Sequence, residues 1–397
     1  MARSNGWKLT KRRYLIFASM ISSLIIFAGG AALAKTAPLM ICVNHSGSGG
    51  CLTTIQGAVD TVPAGGSAVI TIAASVTPYA EDVTVSDSSI SFVGGGAGMT
   101  VVDGTNVSSI PTFKFQNNSN GELHSMTIEN GNGGQGSNVN FVQFASKGSG
   151  GVGTLKIENC EITGGVRPSN ILPEGAINFV GKSLIIDSSS INNNLDQGIL
   201  INGAPHVFIT NTTISGNDTT GNNGNATGCG MHISSGTIVL NNDTITDNHC
   251  VGGSGHGQSP TVGGGLFIDF PAKVSISNTV IANNTVAGTL PAGPDCFAPG
   301  KGVKSKGFNL IKDTSSCTIT LQKSDLAPGT DPSLGSLAAC ASSGLEVQMP
   351  LGGSPIIGKG NPGKLIGKVG AKGSSCLPTD ECGTARTKGA CTIGAVQ

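Results

Sequence analysis

Charge and aromatic rings are both scarce in this chain: of 397 residues, 12% are charged and 4% aromatic, with one Trp and two Tyr. Basic and acidic residues balance at 23 each, so the basic excess of a nucleic-acid binder is missing. A sustained 3.6-residue apolar period is missing too, which excludes a helix bundle or a coiled coil. No P-loop and no dinucleotide fingerprint occurs. Glycine is abundant, at 61 residues, without making the chain a collagen. The 38% of apolar residues is enough to bury a sizeable core.

Residues 1–34 carry Arg3, Lys8, Lys11, Arg12 and Arg13, then the apolar run Tyr14 to Ala28, then Ala32, Leu33 and Ala34. That order reads as a secretory signal peptide cleaved after Ala34, with an uncleaved membrane anchor as the other reading. Without the segment, 18 basic residues face 23 acidic ones, a net of −5, and Tyr79 is the sole remaining Tyr or Trp. Residues 35–294 hold 7 basic and 16 acidic groups, whereas 295–397 hold 11 and 7. The basic tail, densest at Lys301, Lys304 and Lys306, reads as solvated surface.

One pattern recurs through the middle of the chain: an alternating apolar segment, a few Asn, Thr or Ser, an Ile, then a polar turn. It appears as LKIENCEI ending at Ile162, LIIDSSSI at Ile191, VFITNTTI at Ile214, IVLNNDTI at Ile245 and VSISNTVI at Ile281, with an earlier copy ending at Ile128. A second short strand opens at Gly175, Gly198, Gly230 and Gly265, and the count from each Gly to its Ile is 16, 16, 15 and 16. Units of this length cannot bury an apolar face alone but can when equivalent turns stack. The pattern predicts an all-β fold, a right-handed parallel β-helix of roughly eight to ten coils, about 40 to 50 Å long.

Asn159, Asn211, Asn242 and Asn278 precede the aligned Ile by three residues, and Asn194, Asn217, Asn248 and Asn284 follow it by three. Stacked asparagines adopt left-handed backbone and bond along a ladder, so they are expected to hold shape rather than ligand. Both ends of a solenoid need covers. Thr54 is placed to cap a short helix with Ile55, Ala58, Val59 and Val62 on one face. The C-terminal hundred residues are expected to cover the other end. The division is therefore 1–34 signal peptide, 35–294 β-helix with its N-terminal cap, and 295–397 C-terminal capping module.

The stretch Cys51 to Gly96, with CLTTIQGAVDTV, ITIAASVTPYAEDVTV and ISFVGGG, resembles the first coils of pectinesterase-type and other pectin-lyase-like β-helices. Residues 278–397, with NTVIANN, PDC, GFNLI, DPSLGSLA, GGSPIIGKGN and CGTARTKGACTIGAVQ, resemble the choice-of-anchor Q module of secreted bacterial β-helix proteins. That resemblance implies a secreted or cell-surface protein of structural, adhesin-like role. The implied partner is a cell-envelope or extracellular polysaccharide, with no nucleic acid, no membrane after signal cleavage, no cofactor and a monomeric state. The chain departs from the module's usual Asp-Gln-Arg-Gly by having Asp380, Glu381, Cys382 and Gly383, and from a common Asn-Gly-Gly by having Cys340 nearby.

Eleven cysteines in an exported chain suggest disulfides with one thiol over. Proximity together with the resemblance pairs Cys42 with Cys51, Cys229 with Cys250, Cys296 with Cys317, Cys376 with Cys391 and Cys340 with Cys382, leaving Cys160. A metal site at Cys229, His232, His249, Cys250 and His256 is the alternative, but the spacing fits no compact zinc pattern.

An enzyme is the next rival: a polysaccharide lyase or hydrolase acting on pectin-like polymers, with a non-catalytic glycan-binding module as a third reading. Gly255-His256-Gly257 resembles a polygalacturonase element but lacks its companion Asp pair. Arg167 and Pro168 begin a pectate-lyase-like element that position 172, a Leu, does not complete. Asp243 and Asp247 share a turn region and could approach the carboxyl separation that glycoside hydrolysis needs. Phe92, Phe113, Phe179 and Phe267 are expected to point inward, leaving few stacking surfaces for sugar. Glu81 with Asp82, and Asp380 with Glu381, are expected to be solvated. No catalytic set is assigned.

Overall fold

The structure, a computed structural model, describes residues 37–105, 111–131, 138–142, 153–166, 175–220, 226–252, 260–288, 290–300, 302–363, 365 and 375–397. The expected signal peptide, Arg167, Pro168, Lys301 and His256 lie outside the described residues. From Pro38 onward the chain is one compact unit.

Strands repeat in the order A, B, C around each coil and pair in parallel with their equivalents above and below, which makes a right-handed parallel β-helix. Among the described residues sheet A has ten strands, from Leu39–Val43 to Val303–Ser305, and sheets B and C have nine each. The aligned isoleucines stand over one another in sheet B, each pairing with the next from Ile128 through Ile162, Ile191, Ile214 and Ile245 to Ile281. Val102 extends the column at one end and Ile311 at the other. All eight side chains are buried. Side-chain alternation then sends every second residue into a single core running along the axis. Phe92, Phe113 and Phe115 fill its first coils, with ring centroids 5.1 to 6.4 Å apart.

The two asparagine sets have different jobs. Asn159, Asn211, Asn242 and Asn278 sit in the two-residue turn from sheet A to sheet B at φ of 48° to 61°, a conformation in which Asn is the least costly non-Gly residue. Asn194, Asn217, Asn248 and Asn284 form the buried ladder between sheets B and C. Each Nδ2 donates to the Oδ1 of the next at 2.8 to 2.9 Å, and Asn284 ends the run on Asp295 at 3.0 Å. This ladder also explains the constant Gly-to-Ile count. A Cβ at Gly198, Gly230 or Gly265 would lie 2.6 to 2.8 Å from the Nδ2 of Asn217, Asn248 or Asn284. Gly175 is the exception: it pairs with Gln197, one residue out of that register.

The N-terminal helix, Ile55–Asp60, is capped by Thr54, whose side chain accepts from Gly57 N, and buries Ile55, Ala58 and Val59. Glu81 is not solvated: its two carboxylate oxygens accept the free helix N–H groups of Ile55 and Gln56 at 2.9 and 3.0 Å. Gln56 in turn pairs its side-chain amide with the Thr84 backbone, accepting from N at 2.7 Å and donating to O at 3.3 Å.

At the other end the rungs run on past residue 294: Cys296–Ala298, Val303–Ser305, Leu310–Ile311 and Ser316–Cys317 all join the three sheets. The segment that follows does not simply plug the open end. Ile319 packs on the last of the core and Leu326 N bonds Asn309 O, but the chain then turns back along the flank. Its hairpin, Leu334–Ala339 with Glu346–Pro350, and the irregular chain of residues 375–397 lie over the outer face of sheet B and the A-to-B turns. Contacts run from Asn278, which takes Asn361 N, through Asn241 to Ser375 O and Asn211 to Thr379 O, to Ala97, which packs with Cys340 and Leu345. The polar outer residues of sheet B, such as Ser190, Thr213 and Thr244, supply the hydrogen bonds that make this possible.

Candidate functional site

Stacking brings residues some 30 positions apart in sequence into adjacent places on the outer face of sheet A. His124, Glu158, Asp187 and Thr210 are successive register partners in one column, and Glu122, Lys156, Ile185 and Phe208 form the neighbouring one. In the first column Glu158 is the hub. Its Oε2 lies 2.6 Å from Lys156 Nζ and 3.1 Å from His124 Nδ1, while His124 Nε2 lies 3.2 Å from Glu122 Oε2. The Asp187 carboxylate accepts from Thr210 Oγ1 at 2.7 Å.

The two neighbouring carboxyl groups live in different surroundings. Glu158 has the Lys156 ammonium against it. Burial, followed by the negative charge of Glu158, holds the Asp187 carboxyl above its ordinary range, against the pull of the Thr210 hydrogen bond. The backbones of register neighbours lie about 4.8 Å apart, a spacing from which their carboxyl groups can approach the roughly 5 Å separation used in glycoside hydrolysis. Carboxyl pairs set in unlike surroundings can divide acid and base roles between them. Beside them, half-buried Ile185 and Phe208 offer apolar surface, and the C-terminal segment, bonded to Asn211 and Asn241, rises along one side.

The other sequence candidates fall elsewhere. Asp243 and Asp247 do not face each other across an open cleft: Asp243 is fully buried under the C-terminal segment, and Asp247 accepts from Gln348 of that segment. Asp380 and Glu381, expected in solvent, are 1% exposed. Arg386 is buried with them and donates to Asn211 Oδ1 and to the carbonyls of Thr379, Thr392, Gly394 and Ala395. It is therefore occupied in holding the segment to the coil.

Five disulfides join Cys42–Cys51, Cys229–Cys250, Cys296–Cys317, Cys340–Cys382 and Cys376–Cys391. Cys229 and Cys250 are thus joined to each other rather than to a metal, His232 bonds Asp269 and Thr227, and His249 bonds Thr285. Among the described residues no group of three or more His, Cys, Asp and Glu is arranged to hold a metal ion, and no helix is long and apolar enough to cross a membrane. Cys160 is a buried free thiol, pushed up to about 12 by burial.

Phe92, Phe113 and Phe179 point inward, but Phe267 does not. It stands on the outer face of sheet C, edge-on to His232 at 4.7 Å and stacked on Phe297 at 5.7 Å. These rings occupy one another's faces, so the row offers edges rather than open faces to a ligand. Phe270, 85% exposed, flanks a shallow depression lined by Ile268, Ala272 and Ala298.

The sheet A cluster was missed in the sequence because its members belong to different copies of the repeat. The signal was there: His124, Glu158, Asp187 and Thr210 each lie four residues before an aligned isoleucine. Reading the repeats as columns rather than rows places them together.

No family model and no curated protein matches the chain, so the choice-of-anchor Q resemblance of residues 278–397 has no family match behind it. Among solved structures the chain is similar to a deglycosylated pectin methylesterase from Aspergillus niger, at 16% identity and a TM-score of 0.38, covering 75% of this chain and 94% of that one. It is also similar to the pectate lyase Pel9A, at 14% identity and a TM-score of 0.38, covering 92% and 97%. At these values neither carries an argument about chemistry, and the β-helix is established by the register of the three sheets.

Proposed function

We propose that the protein acts outside the cell on a polysaccharide, using the outer face of sheet A. Asp187 serves as proton donor and Glu158 as the carboxyl group facing it, held in place by Lys156 and His124. The observation that carries this reading is the register pair Glu158 and Asp187, one paired with a cation and the other pushed towards its protonated form by burial. Ile185 and Phe208 supply apolar surface for a sugar ring. An extracellular setting is supported by five disulfides and by the signal-like residues 1–34.

A second, non-catalytic reading has its own support. The mutual pairing of Glu122, His124, Lys156 and Glu158 is also what a rung-to-rung surface staple looks like, which suits a structural, adhesin-like or glycan-binding solenoid. The test is release of reducing ends or unsaturated products from pectin-like and other uronate polymers. Under the enzymatic reading the protein cleaves at least one of them, Asp187→Asn lowers the rate about 100-fold or more, and Phe267→Leu on sheet C leaves it unchanged. Absence of cleavage, or an Asp187→Asn rate equal to that of the parent, defeats that reading in favour of the adhesive one.

A further inference from the structure

We propose that the seam between the coil and the C-terminal segment is a pH-operated latch, in which Asp243 of the coil and Glu381 of the segment keep a proton while the segment is docked and let it go when the proton is lost. The inference does not depend on the catalytic reading.

Asp243 occupies the place taken in neighbouring coils by Ser189, Thr212 and Thr279, two residues before the aligned Ile. Each of those hydroxyls donates to the carbonyl two residues back, at 2.8 to 2.9 Å. Ser189 and Thr279 also accept a backbone N–H from the neighbouring rung, Cys160 N at 3.2 Å and Asp243 N at 3.4 Å. Asp243 performs the accepting half, taking Thr212 N on Oδ1 at 3.1 Å. A carboxylate has no hydrogen with which to perform the other half. Its second oxygen, Oδ2, is buried without a partner.

On the segment side, Glu381 Oε2 accepts from Thr213 Oγ1 at 2.5 Å, and its Oε1 is likewise buried without a partner. Two orphaned carboxyl oxygens, one from each side of the seam, are what remains when a proton has to be supplied.

The charges point the same way. From the coil the seam is faced by Glu161, Asp187, Asp243 and Asp247, with Glu158 and Lys156 paired to each other beyond Asp187. From the segment it is faced by Glu346, Asp380, Glu381 and Arg386. Asp380 has both oxygens engaged, by Thr384 N at 2.7 Å and Gln397 N at 2.9 Å. Arg386 is the one cation among the buried groups, and it makes no direct ion pair among the described residues. One positive charge cannot neutralise three buried carboxylates, so full ionisation leaves uncompensated charge in a low-dielectric seam. Burial raises Asp243 and Glu381 well above their ordinary values, and it lowers Arg386 only to about 10, leaving it cationic at neutral pH.

The sign follows from linkage. Docking requires the protonated form, so its contribution is full below the ordinary carboxylate range near pH 4 and fades as pH rises through the elevated docked values. Nothing covalent resists: Cys340–Cys382 and Cys376–Cys391 tie the segment to itself, not to the coil. Opening would bare the hydroxyl-rich outer face of sheet B.

Hydrogen exchange on the full chain, corrected for intrinsic rates, tests the latch at about pH 5 and about pH 8.5. The seam amides of Leu377 and Ala395, which donate to Asn242 and Thr244, lose protection about tenfold or more on going to the higher pH, while amides inside the coil do not. The double variant Asp243→Asn with Glu381→Gln, whose amides carry hydrogens where the protonated acids do, keeps the segment docked at both. Each single variant, with one acid still free to ionise, loses less protection than the parent and serves if the double variant fails to fold. A seam equally protected at both pH values, or one whose pH response is undiminished in a folded variant, overturns the proposal.

Discussion

The coil and the segment that lies along it solve the same problem, satisfying buried polar groups, in opposite ways. In the coil each polar side chain bonds to its own counterpart one rung away, so a single solution is repeated: Asn194 to Asn217, Asn217 to Asn248, Asn248 to Asn284. In the segment each solution is used once. Arg386 gathers four carbonyls and an asparagine, Asp380 closes on Thr384 and Gln397, and two disulfides hold the irregular chain. Repetition makes the coil robust and readable, whereas the segment depends on individual residues.

The sharpest way to break this contrast is to cut the ladder. Asn248→Ala strips partners from Asn217 and Asn284 and opens space beside Gly230, so global stability is expected to fall by about 3 kcal/mol or more, read from denaturant unfolding. A loss below about 1 kcal/mol would mean that the rungs tolerate a gap and that repetition matters less than supposed.

Removing Cys376–Cys391 by double Ser substitution comes next. The bond closes a separation of 15 residues, worth about 3 kcal/mol in the chain-entropy model, but the effect is expected to stay local. Hydrogen exchange should quicken across residues 375–397 and remain unchanged in sheets A and C. Equal quickening of the coil would erase the distinction between the two regions.

The smallest change concerns Cys160. It stands in the column of Ser189 and Thr212 and its thiol, 3.4 Å from Glu158 O, does the work of their hydroxyls. Cys160→Ser is expected to alter stability by less than about 1 kcal/mol, and the native thiol should resist a thiol reagent until the protein unfolds.

The same contrast governs what could be read in advance. The stacked isoleucines, the left-handed asparagines and the Thr54 helix cap were legible because periodicity and turn chemistry are local or repeated signals. Phe267 was misplaced because a three-residue strand gives too little alternation to say which side faces in. Glu81 and Glu381 were misjudged because their partners, a helix terminus and a threonine of the coil, are set by tertiary docking. The path of the segment along sheet B left no pattern at all, since each of its contacts is made once. The sheet A cluster lay between these cases, hidden in rows and visible in columns.

The side chain of Gln56 has a consequence for assembly. Its amide is a copy of a peptide group, and by matching the N–H and C=O of Thr84 it stands in for a strand that the chain never builds. An outermost strand left bare would be a template on which a further molecule could grow a continuous fibre. One glutamine on a short helix blunts that template at the position where sheet C begins.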